Sequence, residues 1–229
     1  MFQKLFPGLL GAALLISPLT ALIAQAEPQA KPQSEPAGKT GPAAVEAGAY
    51  AVEPVHTRVL FSVSHMGFTT WYGEFTNVSG TLDLDPKTPE KSAVEIHIPV
   101  NTVTTTNAKL DGELKSGQWF DAAQYPDIAF KSVKVVATGK GTGKLTGDLT
   151  FHGVTKPVTL TVKFNDAGVN PLDKKYTVGF NATGSILRSD FGVKTYVPLI
   201  GDKVDLIISA GFERQEQQEQ PAADAGAAK

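Results

Sequence analysis

The sequence contains no cysteine, and this absence excludes several kinds of site at once. Without thiols the chain cannot form a disulfide framework, a thiolate metal centre or a cysteine nucleophile. It also offers no cysteine for lipid modification after its N-terminal apolar run, so an exported product is expected to be soluble.

The chain also lacks an excess of charge of either sign. Charged residues make up 19% of the sequence, with 21 basic and 23 acidic side chains and a net charge of −2. Nucleic-acid-binding proteins present a basic face to the phosphate backbone. We therefore predict no nucleic-acid partner.

Motifs that carry catalysis or bind metals are absent as well. There is no Gly-x-Ser-x-Gly elbow and no glycine-rich phosphate loop. A metal site would need about three ligands at short spacing, but the four histidines (His56, His65, His97 and His152) are scattered. We predict no catalytic residue, no metal and no cofactor, with the histidines hydrogen-bonded or exposed.

Both ends of the chain read as segments outside the folded unit. Residues 1–26 combine Lys4, an apolar run and the small-residue pattern Ala24-Gln25-Ala26, which is typical of a cleaved secretory signal. A membrane anchor is the alternative, but Pro18 favours cleavage. Residues 27–47 predict a flexible linker and residues 215–229 a disordered tail, because neither segment has an apolar pattern to bury. The folded unit is then 48–214, in a periplasmic or secreted protein that does not span the membrane.

Within that unit the dominant pattern is apolar alternation with a period of two, which predicts strands with one buried face. Regular examples are Val94-Ile96-Ile98, Leu145-Gly147-Leu149-Phe151 and Val204-Leu206-Ile208-Ala210-Phe212. The alternation shifts by one residue near Asn77 and again between Phe130 and Val133, and both shifts suggest bulges that help a sheet to close. About eight strands are expected, in a sandwich or a barrel.

Only one stretch resembles a helix. Thr106 is a candidate N-cap, and Leu110 and Leu114 lie four residues apart on one face. We predict a short helix over 107–116.

The predicted inward face mixes large and small side chains. Phenylalanines such as Phe61, Phe130 and Phe180 share it with Gly73 and Gly147. Such a face can interdigitate into a solid core or can leave a lined tunnel, and an eight-stranded barrel is compatible with either. Composition leaves both alternatives open.

Several longer motifs resemble the YceI-like family of lipocalin-like, polyisoprenoid-binding exported proteins. They span nearly all of the folded unit, with small departures at Glu53 and Thr57, where the family commonly has Asp and Ser. They are Tyr50-Ala51-Val52-Glu53-Pro54-Val55-His56-Thr57, Ser116-Gly117-Gln118-Trp119-Phe120-Asp121, Gly147-Asp148-Leu149-Thr150-Phe151-His152-Gly153-Val154-Thr155-Lys156-Pro157 and Arg188-Ser189-Asp190-Phe191-Gly192.

The resemblance implies an all-β fold: an eight-stranded antiparallel lipocalin-like barrel with one short helix. It also implies that the interior encloses the tail of a long-chain isoprenoid lipid, such as an isoprenoid quinone or a polyprenyl phosphate, for carriage, storage or stress protection. The resemblance does not imply catalysis, and it is compatible with a homodimer. An enzyme acting on a lipid inside the barrel and a filled structural barrel remain as alternatives.

Under this interpretation the inward side chains form the candidate ligand site. The expected apolar lining is Phe61, Val63, Phe75, Ile96, Ile98, Trp119, Phe120, Phe130, Leu149, Phe151, Phe180, Ile186 and Phe191. His65, Arg188 and Lys194 are the candidates for contact with a polar head group. For Arg188 the alternative is an exposed loop position paired with Asp190.

Overall fold

The structure is a computed structural model that describes residues 40–216. The predicted signal, most of the predicted linker and residues 217–229 of the predicted tail lie outside the described residues. The described chain contains nine strand segments, one α-helix and four 3₁₀ turns. The strands are β1 (Gly48–His65), β2 (Thr69–Phe75), β3 (Ser79–Leu84), β4 (Ala93–Pro99), β5 (Asp127–Gly139), β6 (Thr142–Phe151), β7 (Val154–Val169), β8 (Tyr176–Leu187) and β9 (Ile200–Arg214).

All nine segments form one antiparallel sheet that closes on itself. Each strand from β3 to β9 pairs with the next, and β9 pairs with β1 to complete the circle. β2 and β3 occupy one position around the barrel, because both lie along the same side of β1: Phe75 opposes Val59, and Leu82 opposes Tyr50. The predicted eight-stranded antiparallel barrel is confirmed.

Irregular residues bend the strands where closure needs curvature. The pairing of β5 with β6 shifts at Val133, which confirms a bulge at that position. The shift predicted near Asn77 is a full break between β2 and β3, with Asn77 in the left-handed region at φ 55°. The break turns the chain so that the next residue, Val78, is buried in the core.

β1 carries a third irregularity, within the Glu53 to Thr57 motif. The carboxylate of Glu53 accepts hydrogen bonds from the backbone N–H groups of Val55 and His56, both at 2.8 Å. The hydroxyl of Thr57 accepts the N–H of Gly211 on β9 at 3.0 Å, where the regular pairing is interrupted. Burial raises the pKa of Glu53, but the hydrogen bonds outweigh that effect and lower it. The two departures from the family pattern therefore keep the same chemical groups: Glu53 keeps the carboxylate of Asp, and Thr57 keeps the hydroxyl of Ser.

The single helix, α1 (Ala108–Lys115), confirms the helix prediction but not its cap. The side chain of Asn107 accepts the N–H groups of Lys109 and Leu110, at 3.1 and 3.2 Å. Thr106 lies one residue earlier with φ 63°, so its hydroxyl is outside the capping position. α1 and residues 188–199 cover one end of the barrel, which we call the helix end. The opposite end, at residues 85–92, 139–142 and 169–176, is called the far end.

The predicted linker boundary at residue 47 is too late. Thr40 bonds to Asp166 and Ala167 on β7, at 2.8 and 2.7 Å, and Val45 is buried. Residues 40–47 therefore belong to the folded unit, although their composition lacks any periodic signal. A few proline, alanine and valine side chains can pack along the rim of a barrel end without alternating.

Within residues 40–216, no helix is both long and apolar enough to cross a bilayer.

Candidate functional site

The barrel encloses an apolar cavity of about 390 Å³ that runs along its interior. Pocket volumes of roughly 300–1,000 Å³ are typical of small-molecule sites. The cavity follows from the pleat of the strands, because alternate residues of every strand point inward. The inward side chains of opposite walls do not meet across the barrel, so space is left between them. The interior is not solidly filled.

Neighbouring glycines explain why the large side chains leave this space. Phe61 on β1 pairs with Gly73 on β2, and a Cβ added at Gly73 would lie 2.3 Å from the Phe61 ring. A Cβ at Gly147 on β6 would lie 2.4 Å from the ring of Phe130 on β5. Each ring lies across a glycine of the adjacent strand, along the wall. The sequence mixture of large and small residues therefore lines a tunnel.

The cavity is closed at the helix end. Its lining there consists of buried side chains, Leu114 of α1, Trp119, Phe120 and Arg188. Phe120 packs edge-on against Phe151, with ring centroids 5.3 Å apart. These residues form a floor beneath the covering segments.

The cavity reaches the turns at the far end, where its mouth lies. Pro86 and Pro89 line it from one turn, Gly139 and Gly141 from the β5–β6 turn, and Pro42 from the N-terminal segment. The β4–β5 backbone pairing ends at Glu95 and Lys131, and beyond it the 3₁₀ turn Pro89–Lys91 lies against β5 at the rim.

Polar groups in the interior are few and already hydrogen-bonded. Thr57 is satisfied by Gly211, and Arg188 by backbone carbonyls. Within residues 40–216 no buried side-chain nitrogen or oxygen lacks a hydrogen-bond partner. A ligand inside would meet apolar surface and would leave its own polar groups unsatisfied unless they stayed at the mouth.

Twelve of the thirteen side chains predicted to line the site do face the cavity. They are Phe61, Val63, Phe75, Ile96, Ile98, Trp119, Phe120, Phe130, Leu149, Phe151, Phe180 and Ile186. Whether any of them touches a ligand stays a prediction.

Phe191 is the exception among the predicted lining residues. It is buried, at 1% exposure, but it lies in the 3₁₀ turn Arg188–Phe191 that covers the helix end. Its ring packs against that of Phe151, 5.8 Å between centroids, and its carbonyl lies 3.0 Å from His152 Nδ1. Phe191 supports the floor from behind and does not reach the cavity.

Arg188 is neither a free head-group ligand nor a partner of Asp190. The residue is 4% exposed, and its guanidinium donates to the carbonyls of Gly201, Val193, Thr195 and Ile200 at 2.9–3.0 Å. It also lies 5.4 Å from the Trp119 ring centroid. Burial lowers the pKa of Arg188, and nearby Asp202 opposes the shift. Arg188 ties together the loop that closes the barrel.

The other two head-group candidates do not converge on the cavity. Lys194 is exposed on the loop after Phe191, and His65, the last residue of β1, packs its ring against Trp71 at 6.3 Å. Neither residue is part of the cavity lining. His65 keeps the parity of Val63 in the pairing with β2, but it is the last residue of β1 and lies beyond the end of the lining.

The sequence prediction omitted several lining residues that its own periodicity could have identified. Val59, Val94, Leu145, Leu160, Leu206 and Ile208 share the inward parity of the predicted ones. Pro42 and Val45 had no such signal.

Two histidines pair with carboxylates: His56 Nδ1 lies 2.9 Å from Glu53, and His97 lies between two acidic side chains. The Nδ1 of His97 lies 2.8 Å from Asp127 and its Nε2 3.6 Å from Glu95, on the outer surface. The hydrogen bond to Asp127 raises the pKa of His97, although burial acts against it. Residues 40–216 contain no group of three or more histidine or acidic side chains arranged to hold a metal ion.

Comparisons with known proteins agree with this architecture. Residues 50–212 match the YceI-like domain. Protein YceI of Escherichia coli is 39% identical over 164 residues, which cover 72% of this chain and 85% of that protein.

Two solved structures share the fold. BcnA of Burkholderia cenocepacia superposes with a TM-score of 0.64 at 23% identity, over 70% of this chain and 98% of that one. A domain from Saccharophagus degradans, described as polyisoprenoid-binding and implicated in plant cell wall breakdown, gives a TM-score of 0.56 at 13% identity, over 74% and 100%. By its sequence match and its barrel, the chain belongs to the YceI-like family.

Proposed function

We propose that this protein is an exported carrier that holds the tail of a long-chain isoprenoid lipid inside its barrel. One observation carries the proposal: the interior is a continuous apolar cavity whose few polar groups are already satisfied. The polyisoprenoid-binding domain with the same fold is consistent with such a ligand. Export rests on the signal-like residues 1–26.

The energetics favour an apolar chain over a polar ligand. Burying one carbon contributes about 0.8 kcal/mol, so a five-carbon isoprene unit contributes roughly 4 kcal/mol before entropy costs. A polar ligand would instead lose hydrogen bonds to water without replacing them. An isoprenoid quinone and a polyprenyl phosphate both satisfy this requirement, provided that the head group stays at the mouth.

Binding is proposed in preference to catalysis for a specific reason. An enzyme acting on a lipid in the barrel would need a free polar side chain facing the lipid, and His65 and Arg188 are the candidates at the cavity end. Arg188 is occupied by four carbonyls, and His65 lies outside the cavity lining.

Adjacent isoleucines on β9 provide a matched test. Ile208 faces the cavity, whereas Ile207 points outward and is 54% exposed. The protein is recovered from the export compartment of its native host and analysed by native mass spectrometry with lipid extraction. We expect the wild type and Ile207→Asn to carry a hydrophobic ligand and Ile208→Asn to lose most of it.

The fold of each variant is checked by circular dichroism. If Ile208→Asn does not fold, Ala210→Leu narrows the same wall without adding a polar group. A wild-type protein that is free of lipid would refute the proposal, as would equal lipid content in a folded Ile208→Asn or Ala210→Leu variant.

A further inference from the structure

We infer that the far end of the barrel docks on an anionic phospholipid bilayer, through a basic face on β5, β6 and β7. This face, called the lysine face, comprises Lys134, Lys140, Lys144 and Lys163. The inference goes beyond the proposed function, because it concerns the surface around the mouth and holds whatever the cargo is.

The lysine face concentrates positive charge in a chain whose net charge is slightly negative. Residues 133–147 contain three lysines and no acidic residue, although the whole chain has a net charge of −2. Lys140 lies in the β5–β6 turn, and Lys163 is opposite Thr142 in the β6–β7 pairing. All four side chains are exposed at the same end of the molecule.

These lysines are not used in ion pairs within residues 40–216. The ion pairs of that part of the chain involve other side chains. Lys144 donates to the hydroxyl of Thr161 at 2.8 Å, which orients it without neutralising it. The charges are therefore available to an anionic partner.

The lysine face is continuous with the mouth. Along β5, Val135, Ala137 and Gly139 line the cavity, while Lys134 and Val136 alternate with them on the outer side. A single strand thus presents one side to the cavity and the other to the docking surface. This is also the strand whose pairing with β4 ends at Lys131.

Exposed apolar side chains accompany the charges at this end. Val136 is 38% exposed, Val169 63% and Leu172 90%. Amphipathic helices that lie in the bilayer interface combine lysines with apolar side chains in the same way, and the strands and turns of the far end present both kinds of group. Docking there would let an apolar chain pass between bilayer and cavity with little exposure to water.

Charge distinguishes this surface from the helix end. Met66, Phe68 and Leu199 are exposed at the helix end, but the floor separates them from the cavity. The acidic residues that surround that end are Asp111, Glu113, Asp121, Asp127, Asp190, Asp202 and Asp205. The far end has acidic side chains as well, at Asp85, Glu90, Asp166 and Asp173. They lie outside residues 133–147, so the lysine face is expected to bind an anionic bilayer better than the helix end, where acidic and basic side chains are mixed.

Vesicle sedimentation of the full chain tests the inference. The probes are vesicles of phosphatidylcholine alone and vesicles containing 30% phosphatidylglycerol, both at 0.1 M salt. We expect binding that depends on phosphatidylglycerol and weakens as salt is raised. Neutralising Lys134, Lys140 and Lys144 together (K134Q/K140Q/K144Q) should weaken it on the order of 100-fold, at about fivefold per lysine.

The matched control removes the same charge from the helix end, as K109Q/K156Q/K194Q, and should retain wild-type binding. Phe68→Ser tests docking through the helix end and should also have no effect. Equal binding to both vesicle types, equal loss in the two triple variants, or loss in Phe68→Ser would overturn the inference.

Two further readouts separate other roles of the lysines. Lysines on an unpaired strand edge can also prevent edge-to-edge association, and K134Q/K140Q/K144Q would then self-associate while binding vesicles normally. If they held the cargo's head group instead, that variant would lose co-purifying lipid but not vesicle binding. Either result would overturn the inference, whereas a lipid-free wild type that still binds vesicles would refute only the proposed carrier function.

Discussion

At the scale of single residues, Arg188 shows how a group that looks functional can be structural. From the sequence it was a candidate for an exposed head-group contact or an Asp190 pair. In the barrel it is a buried cation that satisfies four carbonyls of the segment 193–201. A buried charge of this kind is costly to disrupt, because its partners are left unsatisfied.

We predict that Arg188→Met lowers the free energy of unfolding by about 3–5 kcal/mol, since four carbonyls lose their donor. Arg188→Lys should recover only part of the loss, because an ammonium cannot reproduce the planar fork. Urea denaturation measures both. Lys194→Met, an exposed change in the same segment, should stay within about 0.5 kcal/mol. A similar loss of unfolding free energy in Arg188→Met and Lys194→Met would contradict the structural role assigned to Arg188.

His97 predicts a pH dependence of stability. The pKa of His97 is raised in the folded state above the ordinary value of 6.5. Its contribution is therefore fully present below pH 6.5 and is lost as pH rises through the folded pKa. The stability difference between wild type and His97→Gln should be larger at pH 5.5 than at pH 8.5.

The same experiment in an Asp127→Asn background supplies the control. Asp127 is the main cause of the raised pKa of His97. Without it the pH dependence should become much smaller, and a persistent dependence would assign the effect to another group.

At the scale of elements, pairs of neighbouring strands decide how much space the interior keeps. Phe61 lies across Gly73 and Phe130 across Gly147, so each ring needs a glycine on the adjacent strand. Alternation predicts that these phenylalanines point inward. It does not predict the direction in which a ring then leans.

Gly73→Ala should therefore reduce the cavity. Its new Cβ would lie 2.3 Å from the Phe61 ring, and the ring must move toward the interior. We expect lower lipid content by native mass spectrometry, with a fold that is still intact by circular dichroism. Gly112→Ala in α1 meets nothing within 4 Å, so it should keep the lipid and gain about 0.5–1 kcal/mol of stability.

α1 gives a second prediction at this scale. Asn107 caps the helix, so Asn107→Ala should destabilise the fold by about 1 kcal/mol. Thr106 was the cap expected from sequence, but its positive φ places it before the helix. Thr106→Gly should leave stability unchanged or raise it in thermal denaturation, and a loss equal to that of Asn107→Ala would return the cap to Thr106.

At the scale of the whole molecule, the barrel separates a closed helix end from an open far end. The covering segments create this polarity, because α1 and residues 188–199 lie over the helix end whereas the cavity extends to the turns of the far end. Binding of the cargo and stability of the fold are therefore linked, since a ligand that binds only the folded barrel stabilises it against unfolding.

Removing the cargo should accordingly lower the melting temperature. With ligand at about 1,000 times its dissociation constant, the stabilisation is about 4 kcal/mol. At roughly 2–4 °C per kcal/mol for a domain of this size, the shift would be about 8–16 °C. Differential scanning calorimetry of native and delipidated protein measures it, and reloading with the extracted lipid should restore the original value. Identical melting temperatures would argue against a ligand in the cavity.

The sequence by itself determined the strands, the inward side chains and the family. Those properties depend on local periodicity and short motifs, which is why twelve of thirteen predicted lining residues face the cavity. Only the tertiary structure decided that the interior is open, that Phe191 lies behind the floor, that Arg188 binds carbonyls and that the mouth lies at the far end. Each of these depends on partners from other parts of the chain, such as Gly73 of β2 beneath Phe61 or the carbonyls around Arg188, and a period of two within one strand carries no information about them.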